Sequence, residues 1–102
     1  MKVICLFDLP VDTSNQKKAY REFRKNILKE GFSMMQYSVY VRTCPSREYA
    51  ERLEKRIRKF IPMEGNIRLL SVTEKQYSDM KLLVGKRTVI EEKIGTERLI
   101  IL

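Results

Sequence analysis

The N-terminal stretch Met1-Lys2-Val3-Ile4-Cys5-Leu6-Phe7-Asp8-Leu9-Pro10 constrains this chain more than any other. Five consecutive apolar residues, Val3 to Phe7, run into an acid and stop at a proline. A short unbroken apolar run with β-branched and aromatic members marks a strand buried on both faces. Proline cannot donate to a strand ladder, so Pro10 ends it. Asp8 then stands at the C-terminal end of a central strand, where a sheet holds a carboxylate rigidly with its oxygens toward an opening. Aspartate is also favoured as a turn opener, and this stretch alone leaves both roles open.

A chain of 102 residues suffices for one domain. Its 43% hydrophobic content supports a real core and argues against disorder. So small a domain leaves much surface uncovered, which favours an oligomer. Lys and Arg number 21 against 13 Asp and Glu, a formal charge of +8. That excess points to a polyanionic partner, nucleic acid before an anionic membrane. Cys5 and Cys44 have no C-x-x-C spacing and suit a reducing cytoplasm. No signal peptide or membrane span is expected. The chain has no histidine. This removes the commonest general base and most zinc sites. Any catalysis must therefore use carboxylates, hydroxyls, Lys, Arg or a metal.

Thr13 followed by Gln16 forms a capping box and starts a helix. Ala19, Tyr20, Phe23 and Ile27 give it one apolar arc, and Gly31 closes it. Lys17, Arg21, Lys25 and Lys29 step along another arc at intervals of four, with Lys18 and Arg24 beside them. Such a basic stripe suits a run of phosphates, and equally a solvated face. Phe32 to Arg42 is rich in aromatic and β-branched residues and too long for one ordinary strand. It predicts two strands, or one bent near Gln36 to Ser38. Ser46 caps a second helix from about Arg47 to Ile61, with Ala50, Leu53, Ile57 and Phe60 inward. Its pairs Glu48/Arg52, Glu51/Lys55 and Glu54/Arg58 compensate much of its charge. Asn66 to Thr73 is a further core strand. Thr73 and Gln76 form another capping box, for a short helix with Tyr77 and Met80 inward. Gly85 to Lys93 is charged and expected to be mobile. Arg98-Leu99-Ile100-Ile101-Leu102 predicts a terminal strand in need of a sheet edge, its own or a partner's.

Strands alternating with helices over some 75 residues predict an α+β fold, the ferredoxin-like βαββαβ sandwich with an extra C-terminal strand. The ferredoxin-like core is expected over residues 1–80. Residues 81–102 form a C-terminal segment of the same domain. In this fold both helices cover one face of the sheet, whereas the first strand and the Phe32–Val41 strands are apolar on both. A homodimer packed sheet to sheet is the economical cover. Tyr37 and Tyr40 at strand spacing then belong to the dimer core, or else stack on bases.

No P-loop survives inspection: Met80 stands where the first glycine belongs and Thr88 is one place late. No G-x-G-x-x-G, no RNP motif and no Ser-His or Cys-His arrangement exists. Three features remain. They are the apolar strand ending Phe7-Asp8, the basic helix closed by Gly31-Phe32, and Gln36-Tyr37-Ser38-Val39-Tyr40. In this order and spacing, with the Asn66–Thr73 strand following, the chain resembles the CRISPR-associated protein 2 family, the small proteins of spacer adaptation. The resemblance covers nearly the whole chain.

The resemblance implies a homodimer that bridges dimers of the CRISPR integrase, CRISPR-associated protein 1, and holds a double-stranded DNA prespacer. It also implies a Mg2+-dependent phosphodiesterase activity, on DNA or on single-stranded RNA, with Asp8 as catalytic metal ligand. The nucleic-acid contacts it suggests are Lys17, Lys18, Arg21, Arg24 and Lys25. Many members carry arginines where this chain has Lys17 and Lys18, and lysine lacks their bidentate geometry. One Asp per chain is sparse for magnesium, and Asp8 from each half of a dimer would supply two. Ser38 is expected to orient water or phosphate, or to bond backbone as an ordinary strand hydroxyl. Asp12 is a second acid near the site or a turn residue. Arg98, Leu99, Ile100 and Ile101 are the expected partner-binding segment, by strand addition. The competing reading is a stand-alone toxin-type metal-dependent endoribonuclease on the same fold.

Overall fold

In the computed structural model residues 1–86 are described, together with the backbone of Ile100–Ile101. The chain divides into two compact units, Met1–Ser71 and Val72–Leu102.

In the first unit β1 spans Lys2–Asp8, α1 Ser14–Lys29, β2 Ser33–Gln36, β3 Val39–Thr43, α2 Arg47–Ile57 and β4 Asn66–Val72. The sheet order is β2-β3-β1-β4. Both β1–β3 and β2–β3 are antiparallel pairs. β1 and β2 therefore run parallel on either side of β3, with α1 as the crossover between them. This is the ferredoxin-like arrangement expected from the alternation of elements.

Alternation gives β1 its central place. Val3, Cys5 and Phe7 point into the core with Phe23 and Ile27 of α1 and Ala50, Leu53 and Ile57 of α2. Both helices thus share one face of the sheet. Phe7 is the hub, with its ring 5.1 Å from that of Phe23 and 5.5 Å from that of Tyr40. Burying each such ring contributes about 1.5–3 kcal/mol. The opposite face is less covered than the unbroken apolar run implies. Leu6 is 37% exposed, and Asp8 beyond it is exposed.

The Phe32–Arg42 segment is two strands, with an irregular register between Met34 and Gln36. α1 starts on its capping box, Gln16 amide to Thr13 Oγ1 at 3.1 Å and Thr13 amide to Gln16 Oε1 at 2.9 Å. It ends at Gly31, whose φ of +91° is ready-made for a helix stop.

α2 is shorter than expected. It stops at Ile57, continues as a 3-10 turn over Arg58–Phe60, and is extended at Ile61. Pro62 explains this, since the residue before a proline is pushed out of helical backbone. Of the three acid–base pairs expected on α2, only Glu54–Arg58 forms, at 2.8 Å. Tyr40 is also corrected. It lies in the core beneath α1, 1% exposed, with its hydroxyl accepting from Arg24 Nε at 2.8 Å. It is thus neither a base platform nor a dimer-face residue.

In the second unit Thr73 and Gln76 cap α3, Glu74–Ser78. β5, Lys81–Leu82, pairs in parallel with β6, Ile100–Ile101. The terminal strand thus finds an edge within its own chain. Arg98 and Leu99, and most of the charged Gly85–Lys93 stretch, lie outside the described residues.

Candidate active site and nucleic-acid interface

Three segments meet at the C-terminal end of β1. Strand alternation turns Asp8 away from the helices, because Phe7 before it enters the core. Beside it lies the turn between β2 and β3. The amide of Phe7 donates to the carbonyl of Ser38 at 3.0 Å. With Leu6 opposite Val39, continuing the register brings Asp8 beside Tyr37. Behind it lies the start of β4, where Gly65 has a φ of +97°. A Cβ there would meet the Asp8 carbonyl oxygen and Leu9 Cδ2, both at 2.6 Å. Only glycine admits so close an approach. The end of β1 is therefore wedged between two fixed turns, and the Asp8 carboxylate projects from a rigid base.

Ser38 departs from expectation. It lies in the turn, with a left-handed φ of 63°, and its carbonyl makes the bond to β1. Left-handed backbone outside glycine costs on the order of 1 kcal/mol, and such residues gather at functional sites. Tyr37 beside it is 87% exposed. Among the described residues neither the Asp8 carboxylate nor the Ser38 hydroxyl has a hydrogen-bond or ion-pair partner within the protein. Asp12 is a turn residue, its amide donating to Gln16 Oε1 at 2.9 Å.

A hard divalent cation such as magnesium is often held by one or two carboxylates, with water and phosphate completing its shell. An exposed carboxylate free of competing cations suits that role. Among the described residues no group of three His, Cys, Asp or Glu could hold a metal alone. Among the described residues the site thus offers a metal the Asp8 carboxylate alone, and the rest of a magnesium shell would be water and phosphate.

The basic residues form a separate surface. Phe23 and Ile27 fix the inward side of α1, leaving Lys17, Lys18, Arg21, Arg24, Lys25 and Lys29 exposed. Among the described residues only Arg24 of this set has a partner, the Tyr40 hydroxyl. The others keep their charge unneutralised. α1 lies on the helical side of the sheet and Asp8 faces the other side. The stripe and the carboxylate, which the sequence alone does not relate in space, thus occupy opposite faces.

One cluster has no counterpart among the sequence expectations. Tyr49 of α2 accepts a hydrogen bond from Arg42 Nη2 of β3 at 2.7 Å. The guanidinium carbons of Arg42, Arg52 and Arg56 lie 4.7, 5.5 and 5.8 Å from its ring centroid. Arg56 also pairs with Glu30 at 3.0 Å. The Arg42 hydrogen bond holds the Tyr49 phenol below its ordinary value, with the charges of Arg42 and Arg56 acting in the same sense. Tyr49, Arg52 and Arg56 stand at i, i+3 and i+7, a visible helical flank. The strand residue that completes the cluster has no signature in sequence.

Comparison with known proteins bears on this geometry. Residues 1–80 match the family model for CRISPR associated protein Cas2. The CRISPR-associated endoribonuclease Cas2 of Ligilactobacillus salivarius is 52% identical over 102 residues, covering 100% of both chains. That of Parvibaculum lavamentivorans is 49% identical over 87 residues, covering 85% of this chain and 86% of the relative. The crystal structure of Streptococcus pyogenes Cas2 at pH 6.5 superposes with a TM-score of 0.61 at 19% identity. It covers 82% of this chain and 100% of that one.

Proposed function

Because this chain belongs to the CRISPR-associated Cas2 family, we propose that it serves CRISPR spacer adaptation in the cytoplasm. In this reading it is a homodimeric scaffold that binds a prespacer DNA duplex and bridges dimers of the integrase. The observation that carries the proposal is the α1 stripe, whose Lys17, Lys18, Arg21 and Lys25 have no partner among the described residues. Exposed cations at successive helical turns bind duplex phosphates without regard to sequence, as a prespacer scaffold requires. Arg24, steadied by Tyr40, adds a guanidinium in fixed orientation. The open sheet face, with Leu6 and Leu70 exposed, supports sheet-to-sheet dimerisation.

Asp8 supports a second activity, Mg2+-dependent cleavage of a phosphodiester, with RNA the substrate class in the names of the relatives. Asp8 of each protomer would hold the metal, which when bound activates water and neutralises phosphate charge. Asp8 accepts no proton in this role and anchors the ligand sphere. Ser38, with its hydroxyl free, orients water or a phosphate oxygen beside it.

The test is integration of a prespacer duplex by the reconstituted integrase complex. Asp8→Asn is expected to support integration as wild type does. A variant with Lys17, Lys18, Arg21 and Lys25 changed to Ala is expected to lose it while remaining folded. Normal integration by the stripe variant, or loss in Asp8→Asn with the complex intact, contradicts the scaffold reading.

A further inference from the structure

We propose that Arg42, Arg52 and Arg56, gathered around Tyr49, form a phosphate-binding site distinct from both the α1 stripe and Asp8. Three cations there share one ring and one engaged carboxylate, Glu30 on Arg56. The cluster thus keeps an excess of positive charge at close quarters, where like charges repel.

Arg52 shows that this is more than helix-surface charge balancing. Glu48 stands four residues before it, the spacing at which Glu54 takes Arg58 through both Nε and Nη2, at 3.0 and 2.8 Å. Arg52 makes no such pair. Its guanidinium is held over Tyr49 instead, with no carboxylate on its fork among the described residues. Arg42 is fixed more firmly still. It donates to the Tyr49 hydroxyl and to Cys44 Sγ, the latter at 3.6 Å. Its Nε lies against Gly31, where an added Cβ would approach to 2.8 Å. Oriented planar forks with spare donors are what bidentate phosphate recognition needs. The Tyr49 hydroxyl, accepting from Arg42, has its own proton free to donate.

The position makes the site separate. Arg42 pairs with Val3 at the far end of β1 and lies on the helical side of the sheet. Five strand residues put it about 17 Å from Asp8 along β1. It stands where the α1 stripe ends, since Lys29 is two residues before Gly31. The phosphate is either an internucleotide phosphate of a duplex lying along α1 or a free phosphate.

Two arms test the site and separate these sources. In the first, inorganic phosphate is titrated while the arginine Nε–Hε NMR signals are followed. Signals of Arg42, Arg52 and Arg56 are expected to shift together, and that of Arg58, already engaged by Glu54, to stay. In the second, duplex affinity is measured against salt for Arg52→Gln, Arg42→Lys and the outside control Lys59→Gln. Arg52→Gln is expected to make the slope of log K on log salt shallower by about 0.9, the share of one neutralised phosphate. Arg42→Lys, which keeps charge and loses the fork, is expected to weaken binding about threefold or more, and Lys59→Gln to leave the slope unchanged. A response to free phosphate alone supports the site with free phosphate as ligand. A response to duplex alone supports it with internucleotide phosphate. If neither arm responds in folded protein, or Lys59→Gln shallows the slope as much as Arg52→Gln, the proposal is overturned and the cluster is a packing clamp.

Discussion

Gly65 shows how much of the site rests on one residue without a side chain. Its backbone conformation and its closeness to the Asp8 carbonyl both exclude a Cβ. Gly65→Ala is expected to cost about 1–3 kcal/mol. The melting temperature should then fall by about 5 °C or more, as calorimetry would show, and an unchanged melting temperature would contradict the wedge at the end of β1. Cys5 makes a different prediction. Burial pushes its thiol from 9.0 up to about 12. The folded state keeps this proton after the unfolded chain has lost it, so the Cys5 contribution to stability is constant below about pH 9 and is lost progressively toward pH 12. Denaturant midpoints measured against pH should show that decline in wild type and a smaller one in Cys5→Ala. At this scale Asp8 is legible, because an acid between an apolar run and a proline is a local pattern. The left-handed turn at Ser38 is not, since nothing in Gln36-Tyr37-Ser38-Val39 demands a positive φ from a serine.

Among the elements, α1 is the most legible in sequence and the most consequential. Thr13, Gln16 and Gly31 set its ends, and the apolar arc through Phe23 and Ile27 sets which side faces out. The outward side is then basic by arithmetic. Lys17→Ala with Lys18→Ala is expected to make the salt dependence of duplex binding shallower by about 0.9 for each phosphate no longer neutralised, as fluorescence anisotropy at several salt concentrations would measure. An unchanged slope would remove these two lysines from the interface. α2 is less legible. Its apolar face is plain, but its last turn gives way to Pro62. Two of its three expected ion pairs are absent because exposed pairs at that spacing contribute only a few tenths of a kcal/mol. Arg52 and Arg56 turn instead toward Tyr49, a choice made by the tertiary position of Arg42.

For the whole molecule, the sheet separates the basic stripe of α1 from the Asp8 carboxylate. Alternation along β1 sends Phe7 to the helices and Asp8 to the other side, so the stripe and the carboxylate sit back to back. The alternation of elements predicts the ferredoxin-like order, and the comparison with solved Cas2 agrees in fold. The apolar residues left on the open face predict a dimer, so sedimentation equilibrium should give twice the chain mass for wild type and one chain mass for Leu6→Asp. A monomeric wild type would contradict sheet-to-sheet pairing. Two faces so separated should act independently. The most direct test is a paired assay of wild type, Asp8→Asn and the Lys17→Ala/Lys18→Ala variant, reading Mg2+-dependent cleavage of single-stranded RNA and duplex affinity on the same preparations. Asp8→Asn is expected to lose Mg2+-dependent cleavage and keep duplex affinity, while the lysine variant loses duplex affinity and salt dependence. Cleavage that persists in Asp8→Asn, or duplex binding that falls with it, would contradict the independence of the two faces.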